Sequence, residues 1–205
     1  RRAFEVNMQH TYAMIKPGFY HLMGEAIDRI YQQGLFVVNL RLGMVSRETA
    51  TQFYAEHRGK PFFDSLVQYI TSGPVVAMEL VGNNAIQAWR TLIGPTNIDT
   101  ARQQAPNSLR ALYAKSTTEN FAHGSDSPES AQRELQIIFG QHGVQLISST
   151  IGCTCCVIRP HALKEGNAGK IIRDIVKNQF EITGAVMANL DLATAGEFLE
   201  VYRNV

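Results

Sequence analysis

Phe36-Val37-Val38-Asn39-Leu40-Arg41-Leu42-Gly43-Met44 places Phe36, Val38, Leu40, Leu42 and Met44 at every second position. That is the period of a strand with one buried face. Just before it, Ala26, Ile27, Ile30 and Tyr31 recur at helical spacing, and Gly34 ends that helix. Just after it, Ser46 is the expected N-cap of a helix carrying Phe53 and Tyr54, with Glu48 in its first turn. Tyr12 to Ile15 is a short apolar strand ending at Lys16-Pro17, and Val75 to Leu80 is a strand that follows the Gly73-Pro74 break. Ala85, Ile86, Trp89 and Leu92 share one face of a helix closed by Gly94-Pro95. Ser127-Pro128 caps another helix, whose apolar stripe includes Leu135 and Ile138. This order predicts an α+β sandwich of helices on a small sheet.

The pattern then begins again. Ile15-Lys16-Pro17 matches Ile158-Arg159-Pro160; Gly24, Ile27 and Ile30 match Gly169, Ile172 and Ile175; Phe53 matches Phe198. The expected organisation is a complete domain over 1–140, a Gly/Ser-containing linker over 141–151, and the N-terminal part of a second domain over 152–205. The second copy contains no counterpart of His123. It also carries Arg159 in place of Lys16 and Leu199 in place of Tyr54, so it reads as degenerate.

Bulk properties narrow the function classes. At 205 residues and 45% hydrophobic content the chain can bury real cores. No apolar run approaches the ~18 residues of a membrane span. A net charge of +1 gives no general steering toward nucleic acid or membranes, so anion binding has to come from a local cation cluster. Cys153, Cys155 and Cys156 are too closely spaced for a disulfide framework, which favours a reducing compartment. Cys153 and Cys155 share one face of a strand and Cys156 the other, so buried strand thiols are expected rather than a zinc site. The chain starts Arg1-Arg2 with no signal-peptide pattern and is expected to be a piece of a longer polypeptide.

The run Asn120-Phe121-Ala122-His123-Gly124-Ser125-Asp126-Ser127-Pro128 puts an imidazole in a Gly/Ser turn before a helix, with Glu134 on that helix about three helical turns of sequence beyond His123. A nucleophilic histidine needs one ring nitrogen free and the other held by an acceptor. Glu134 is spaced to supply that acceptor. Phosphoryl transfer also needs positive charge on the phosphate oxygens, which Lys16, Arg90 and Arg110 can supply if they converge.

These residues, with Ala13-Met14-Ile15-Lys16-Pro17, Phe53 to Phe63, Thr71 to Met78 and Leu92 to Asn97, resemble the nucleoside diphosphate kinase family over about residues 8 to 140. The tandem layout is similar to the family's tandem-domain members of cilia and microtubule structures. The resemblance implies a ferredoxin-like antiparallel sheet covered by helices. It also implies a ping-pong transfer of the γ-phosphate from a nucleoside triphosphate to a nucleoside diphosphate through phospho-His123. In that scheme Glu134 orients the ring, and Tyr54 orients Lys16 and His123. Arg90, Arg110 and Thr96 contact phosphate, and Asn120 contacts the sugar hydroxyl. Phe62 stacks on the base with Leu66 beside it, and Mg²⁺ rides on the phosphates. The implied setting is cytoplasm and cytoskeleton, in the ciliary axoneme, with tubulin and other axonemal microtubule proteins as partners and no nucleic acid or membrane. The competing reading is a catalytically silent structural module of the doublet microtubule. The sequence departs from the family at Gly18, where an Asp is usual, and at Thr117, usually apolar.

Overall fold

The computed structural model describes residues 8–146 and 151–202. Its strands are β1 (Met8–Ile15), β2 (Phe36–Met44), β3 (Val75–Asn83), β4 (Ala122–Gly124), β5 (Gln145–Leu146) and β6 (Ala185–Val186). Its helices are α1 (Met23–Gln32), α2 (Arg47–Phe53), α3 (Phe63–Ile70), α4 (Ala85–Ile93), α5 (Ile98–Gln104), α6 (Leu109–Tyr113), α7 (Pro128–Phe139), α8 (Pro160–Lys164), α9 (Ala168–Lys177) and α10 (Leu192–Phe198). The strands form one antiparallel sheet in the order β4-β1-β3-β2-β5, and β6 joins β2 on the same edge as β5. No described helix is long and apolar enough to cross a membrane.

Helices cover both faces, which is why the central strands read as nearly continuous apolar runs. Ala13, Ile15, Val76, Met78 and Leu80 pack against Ile27, Ile30, Trp89 and Ile93 of α1 and α4. Tyr12, Met14, Val75 and Ala77 pack against Ala50, Phe53, Val67, Ile70 and Ile138 of α2, α3 and α7. The caps are those the sequence offers: Ser46 accepts from the Thr49 amide at 3.1 Å, and Ser127 accepts from the Ser130 amide at 3.1 Å.

Three details depart from the sequence reading. The β2 alternation changes phase: a bulge between Val37 and Asn39 leaves Val37, Leu40 and Leu42 buried, while Phe36 and Val38 are exposed. An extra residue on one strand moves the preceding side chains to the other face. His123 lies in the short strand β4, paired with Met14, rather than in a turn. The cysteines are exposed, and the 153–158 segment forms no strand. Its counterpart β1 is laddered between β3 and β4, and no described strand of the second copy flanks 153–158 in that way.

The stretch read as a linker contains β5, which pairs with Gly43 and Met44; residues 147–150 lie outside the described residues. Helix α9 packs against α1 and β6 pairs with β2, which buries Ala168 and Ile172 in the core formed by α1 and the sheet.

Candidate functional site

Strand β4 lies at the sheet edge beside β1, and its backbone is fixed from behind by α4. Trp89 Nε1 donates to the His123 carbonyl at 3.0 Å. Gly124 makes that approach possible, because a Cβ there would stand 2.7 Å from Trp89 Nε1. Phe121, fully buried, has φ +77°, a left-handed conformation that a bulky side chain seldom adopts. It is held by Phe19 and Tyr113, whose ring centroids lie 5.4 and 5.5 Å away.

Helix α7 brings Glu134 to the imidazole. His123 Nε2 lies 3.0 Å from Glu134 Oε2, and Ser125 Oγ donates to the same oxygen at 2.7 Å. Arg133 faces the other carboxylate oxygen at 3.7 Å and also donates to the Phe53 carbonyl at 3.1 Å. A carboxylate only accepts, so Nε2 carries the proton and Nδ1 presents its lone pair. No described residue hydrogen-bonds Nδ1. The Glu134 side chain is 4% exposed and that of His123 24%, so a buried anion stands behind a partly open ring.

A second cluster lies at the end of β1. The Lys16 amide donates to the Phe121 carbonyl at 2.9 Å, and Nζ donates to Asn120 Oδ1 at 2.8 Å. Asn120 Nδ2 donates to the Thr117 carbonyl at 2.8 Å. Tyr69 Oη donates to the Pro17 carbonyl at 2.9 Å, and its ring faces the lysine at 5.9 Å. Burial, and then the Arg110 guanidinium, lower the Lys16 ammonium pKa to about 8. Arg110, on α6, donates through Nη1 to the Gly94 carbonyl (2.6 Å) and Thr96 Oγ1 (3.4 Å), and through Nη2 to the Ala122 carbonyl (2.8 Å). Its Nε is buried without a partner, and burial followed by Arg90 lowers its pKa to about 10. Two buried cations side by side with a spare donor form a site that an anion would complete.

Of the residues singled out from sequence, Lys16 and Asn120 are joined by one hydrogen bond, Arg110 and Thr96 by another, and His123 and Glu134 by a third. Tyr54 is buried at the end of α2, edge-on to Phe53 at 5.0 Å, and Phe53 is in turn edge-on to His123 at 5.1 Å. Burial, and then Glu134 and Tyr69, push the Tyr54 phenol pKa well up. Phe62 is 48% exposed and does not touch His123; it reaches Tyr54 through His57, and Leu66 is half-buried on α3. Arg90 is exposed on α4 and acts on Arg110 through charge alone. Sequence reasoning passed over Ser125 and Tyr69, and reads His57 as a single polar histidine with no partner pattern. Ser125 stood in the quoted run, but nothing in the spacing pointed its hydroxyl at Glu134.

A family model described as nucleoside diphosphate kinase matches residues 9–144, about two thirds of the chain. The chain belongs to the nucleoside diphosphate kinase family. It is 43% identical over 200 residues to nucleoside diphosphate kinase homolog 7 of Rattus norvegicus, covering 96% of this chain and 51% of that protein. It thus spans about half the length of the curated relatives it first matches. Over 135 residues it is 53% identical to the nucleoside diphosphate kinase of Deinococcus radiodurans, covering 65% of this chain and 96% of that one. Among solved structures, the nucleoside diphosphate kinase of Halobacterium salinarum in complex with CDP superposes with a TM-score of 0.60. The two share 34% identity over 69% of this chain and 94% of that one. The matched region, 9–144, ends immediately before β5, so β5, β6 and α8 to α10 lie outside it.

Within this kinase-family domain Tyr12 is unusual. It is fully buried beside Phe53 and His123, and its hydroxyl has no hydrogen-bond partner. An unpaired buried hydroxyl carries a desolvation cost, so Tyr12→Phe is expected to raise stability by about 1 kcal/mol in a urea titration. A loss of stability instead would mean that the hydroxyl is satisfied by bound water.

Proposed function

We propose that the first domain transfers a γ-phosphoryl group between nucleotides through a phosphohistidine on Nδ1 of His123. The observation that carries this reading is the Nε2–Glu134 bond, which leaves Nδ1 with a free lone pair on a partly exposed ring. Nδ1 attacks the γ-phosphorus in line, the N–P bond forms, and the bond to the β,γ-bridging oxygen breaks. The nucleoside diphosphate leaves with that electron pair. A second diphosphate then attacks the phosphohistidine through its terminal oxygen, restoring the neutral ring. Glu134, itself steadied by Ser125, balances the imidazolium-like charge of the intermediate.

Lys16 and Arg110 neutralise the phosphate oxygens, with Arg110 Nε as the spare donor, and Arg90 and Thr96 contact phosphate from the outer side. Asn120 meets the sugar hydroxyl. Phe62, exposed on the rim with Leu66 beneath it, stacks on any base face, so base discrimination is weak. Mg²⁺ would be carried in on the nucleotide phosphates, where it would offset the negative charge that Lys16 and Arg110 also meet. Among the described residues no three His, Cys, Asp or Glu side chains come close enough to form a cage for it.

The Lys16 pKa sets a pH dependence. The ammonium is charged below about 8 and is lost as pH rises through that value. Bound phosphate favours the charged form, so nucleotide affinity is flat well below pH 8 and falls above it, by up to about tenfold per pH unit. Lys16→Arg keeps its proton and flattens the profile. Calorimetric titration with a non-hydrolysable triphosphate across the range reads both.

The direct test incubates the chain with γ-labelled ATP and Mg²⁺, then chases with GDP. Acid-labile label on the protein that leaves as GTP supports the relay. Absence of label in folded protein removes it.

The resemblance to tandem ciliary members supports a second element of the proposal, a place in the axoneme of the cytoskeleton with tubulin and other microtubule proteins as partners. Docking of α9 and β6 onto the first copy makes the tandem a stiff unit suited to a structural role. Co-sedimentation with doublet microtubules that His123→Ala does not alter would favour the scaffold reading. Dependence on nucleotide would tie attachment to the site.

A further inference from the structure

Helix α9 crosses α1 at two glycines. A Cβ on Gly24 would stand 2.9 Å from the Gly169 carbonyl oxygen and 2.8 Å from the Arg173 amide nitrogen. A Cβ on Gly169 would stand 2.6 Å from the Gly24 carbonyl oxygen and 2.8 Å from Asp28 Cα. In the sequence repeat Gly24 corresponds to Gly169 and Asp28 to Arg173. Each glycine therefore meets the counterpart of residue 28 in the other copy.

The strands obey the same rule. Arg41 opposes Val186, its own counterpart, and Leu42 opposes Ala185, the counterpart of Leu40. The Met187 amide, the counterpart of Leu42, donates to the Leu40 carbonyl at 2.9 Å. Such reciprocity is the mark of an isologous two-fold contact, here made within one chain. By backbone shape alone, the α1/β2 face would accept another first copy equally well.

Its charges oppose that. On α1 the charged positions are Glu25, Asp28 and Arg29; their counterparts on α9 are Lys170, Arg173 and Asp174. Every sign is reversed. Across the pseudo-axis Arg173 pairs with Glu25 at 3.0 Å and with Asp28 at 3.2 Å. In a pair of first copies a second Asp28 would stand where Arg173 is, facing both Asp28 and Glu25. The Asp28 side chain is only 9% exposed, so solvent would screen that repulsion poorly.

We infer that the α1/β2 face is a self-complementary two-fold surface made heterotypic by charge: it takes the oppositely charged second-copy segment of its own chain and rejects another first copy. Attraction to the right partner and repulsion of the wrong one act together. The inference is independent of the phosphotransfer proposal.

The test uses the whole chain, with hydrogen exchange over 168–177 and sedimentation velocity. Lys170→Glu/Arg173→Asp, at surface positions of α9, gives the second copy the first copy's signs. Exchange over 168–177 is expected to accelerate by at least about tenfold, since even a solvent-exposed pair is worth a factor of roughly 2 to 5 and attraction becomes repulsion. Added NaCl should act in opposite directions, loosening α9 in the wild type and tightening it in the variant. Adding Glu25→Lys/Asp28→Arg restores the pairing with signs exchanged. The variant with α9 released should remain monomeric. Unchanged exchange in the variant, the same salt response in both proteins, or dimers formed through the freed face would each overturn the inference.

Discussion

His123→Ala is expected to abolish protein-bound acid-labile phosphate and to lower NTP-to-NDP transfer by at least about 10⁴-fold, to the level of the reagent blank. The size of the effect follows from the role: the covalent intermediate needs the Nδ1 lone pair, and alanine offers no nitrogen in its place. The structural cost should be modest. Glu134 loses the Nε2 donor but keeps Ser125 Oγ at 2.7 Å and Arg133 at 3.7 Å, so its buried charge is not left bare. Loss of the ring's contacts with Phe53 and Tyr12 should cost about 1–2 kcal/mol in a denaturant titration. A variant that unfolds would not test the chemistry, so the transfer assay is read only on protein with a native unfolding transition. Retained transfer would move the nucleophile elsewhere.

Lys16→Met should separate activity from stability, with the two moving in opposite directions. Lys16 is 6% exposed, and its ammonium, with a pKa of about 8 against an ordinary 10.5, is disfavoured by burial and by Arg110. That difference corresponds to roughly 3 kcal/mol of unfavourable charge burial in the nucleotide-free protein. Methionine keeps the apolar stem and removes the charge, at the expense of the hydrogen bond to Asn120. The free variant should be as stable as wild type or more so, while transfer falls by about 10²- to 10³-fold through loss of transition-state charge stabilisation. The linkage has a definite sign. Between about pH 8 and 10.5 the unfolded chain holds the Lys16 proton and the folded chain does not, so wild-type stability rises with pH across that window. The variant should lack that rise. Paired urea titrations at each end of the window decide it, and an equal rise in both proteins would show that Lys16 is not its source.

Much of this arrangement is legible in the sequence, because local rules and the family pattern point the same way. The caps at Ser46 and Ser127, the strand at Val75 and the helix ending at Gly94-Pro95 are set by short-range chemistry and stand where the sequence puts them. The β2 phase was not legible. A bulge depends on how β3 lies alongside, and alternation alone carries no record of it. Helices α5 and α6 were missed in the segment between Thr96 and Arg110, where Asn97 and Ser108 are caps without a strong apolar stripe to announce them. The exposure of Cys153, Cys155 and Cys156 reflects missing strand neighbours, which no property of the thiols encodes. Within the site, the residues joined by direct bonds were readable as a set, whereas their supports were not. Ser125, Tyr69 and His57 reach their partners through tertiary placement, and a single serine, tyrosine or histidine in a loop or helix gives no sign of it.

The charge reversal between α1 and α9 was present in the sequence from the start but carried no meaning until the two helices were seen to cross. Gly24 and Gly169 could be aligned as repeats, yet only the close approach of their backbones shows why neither can bear a side chain.

The proposed relay turns on His123 accepting phosphate on Nδ1 because Glu134 holds Nε2. NMR of the intermediate trapped with ATP and Mg²⁺ in the absence of acceptor, with ¹⁵N-labelled histidine, reads which nitrogen carries the phosphate. A single phosphohistidine is expected, with a ³¹P signal that couples to Nδ1, the Nε2 proton retained, and loss of the signal when GDP is added. Phosphate on Nε2, or on any residue other than His123, would contradict it.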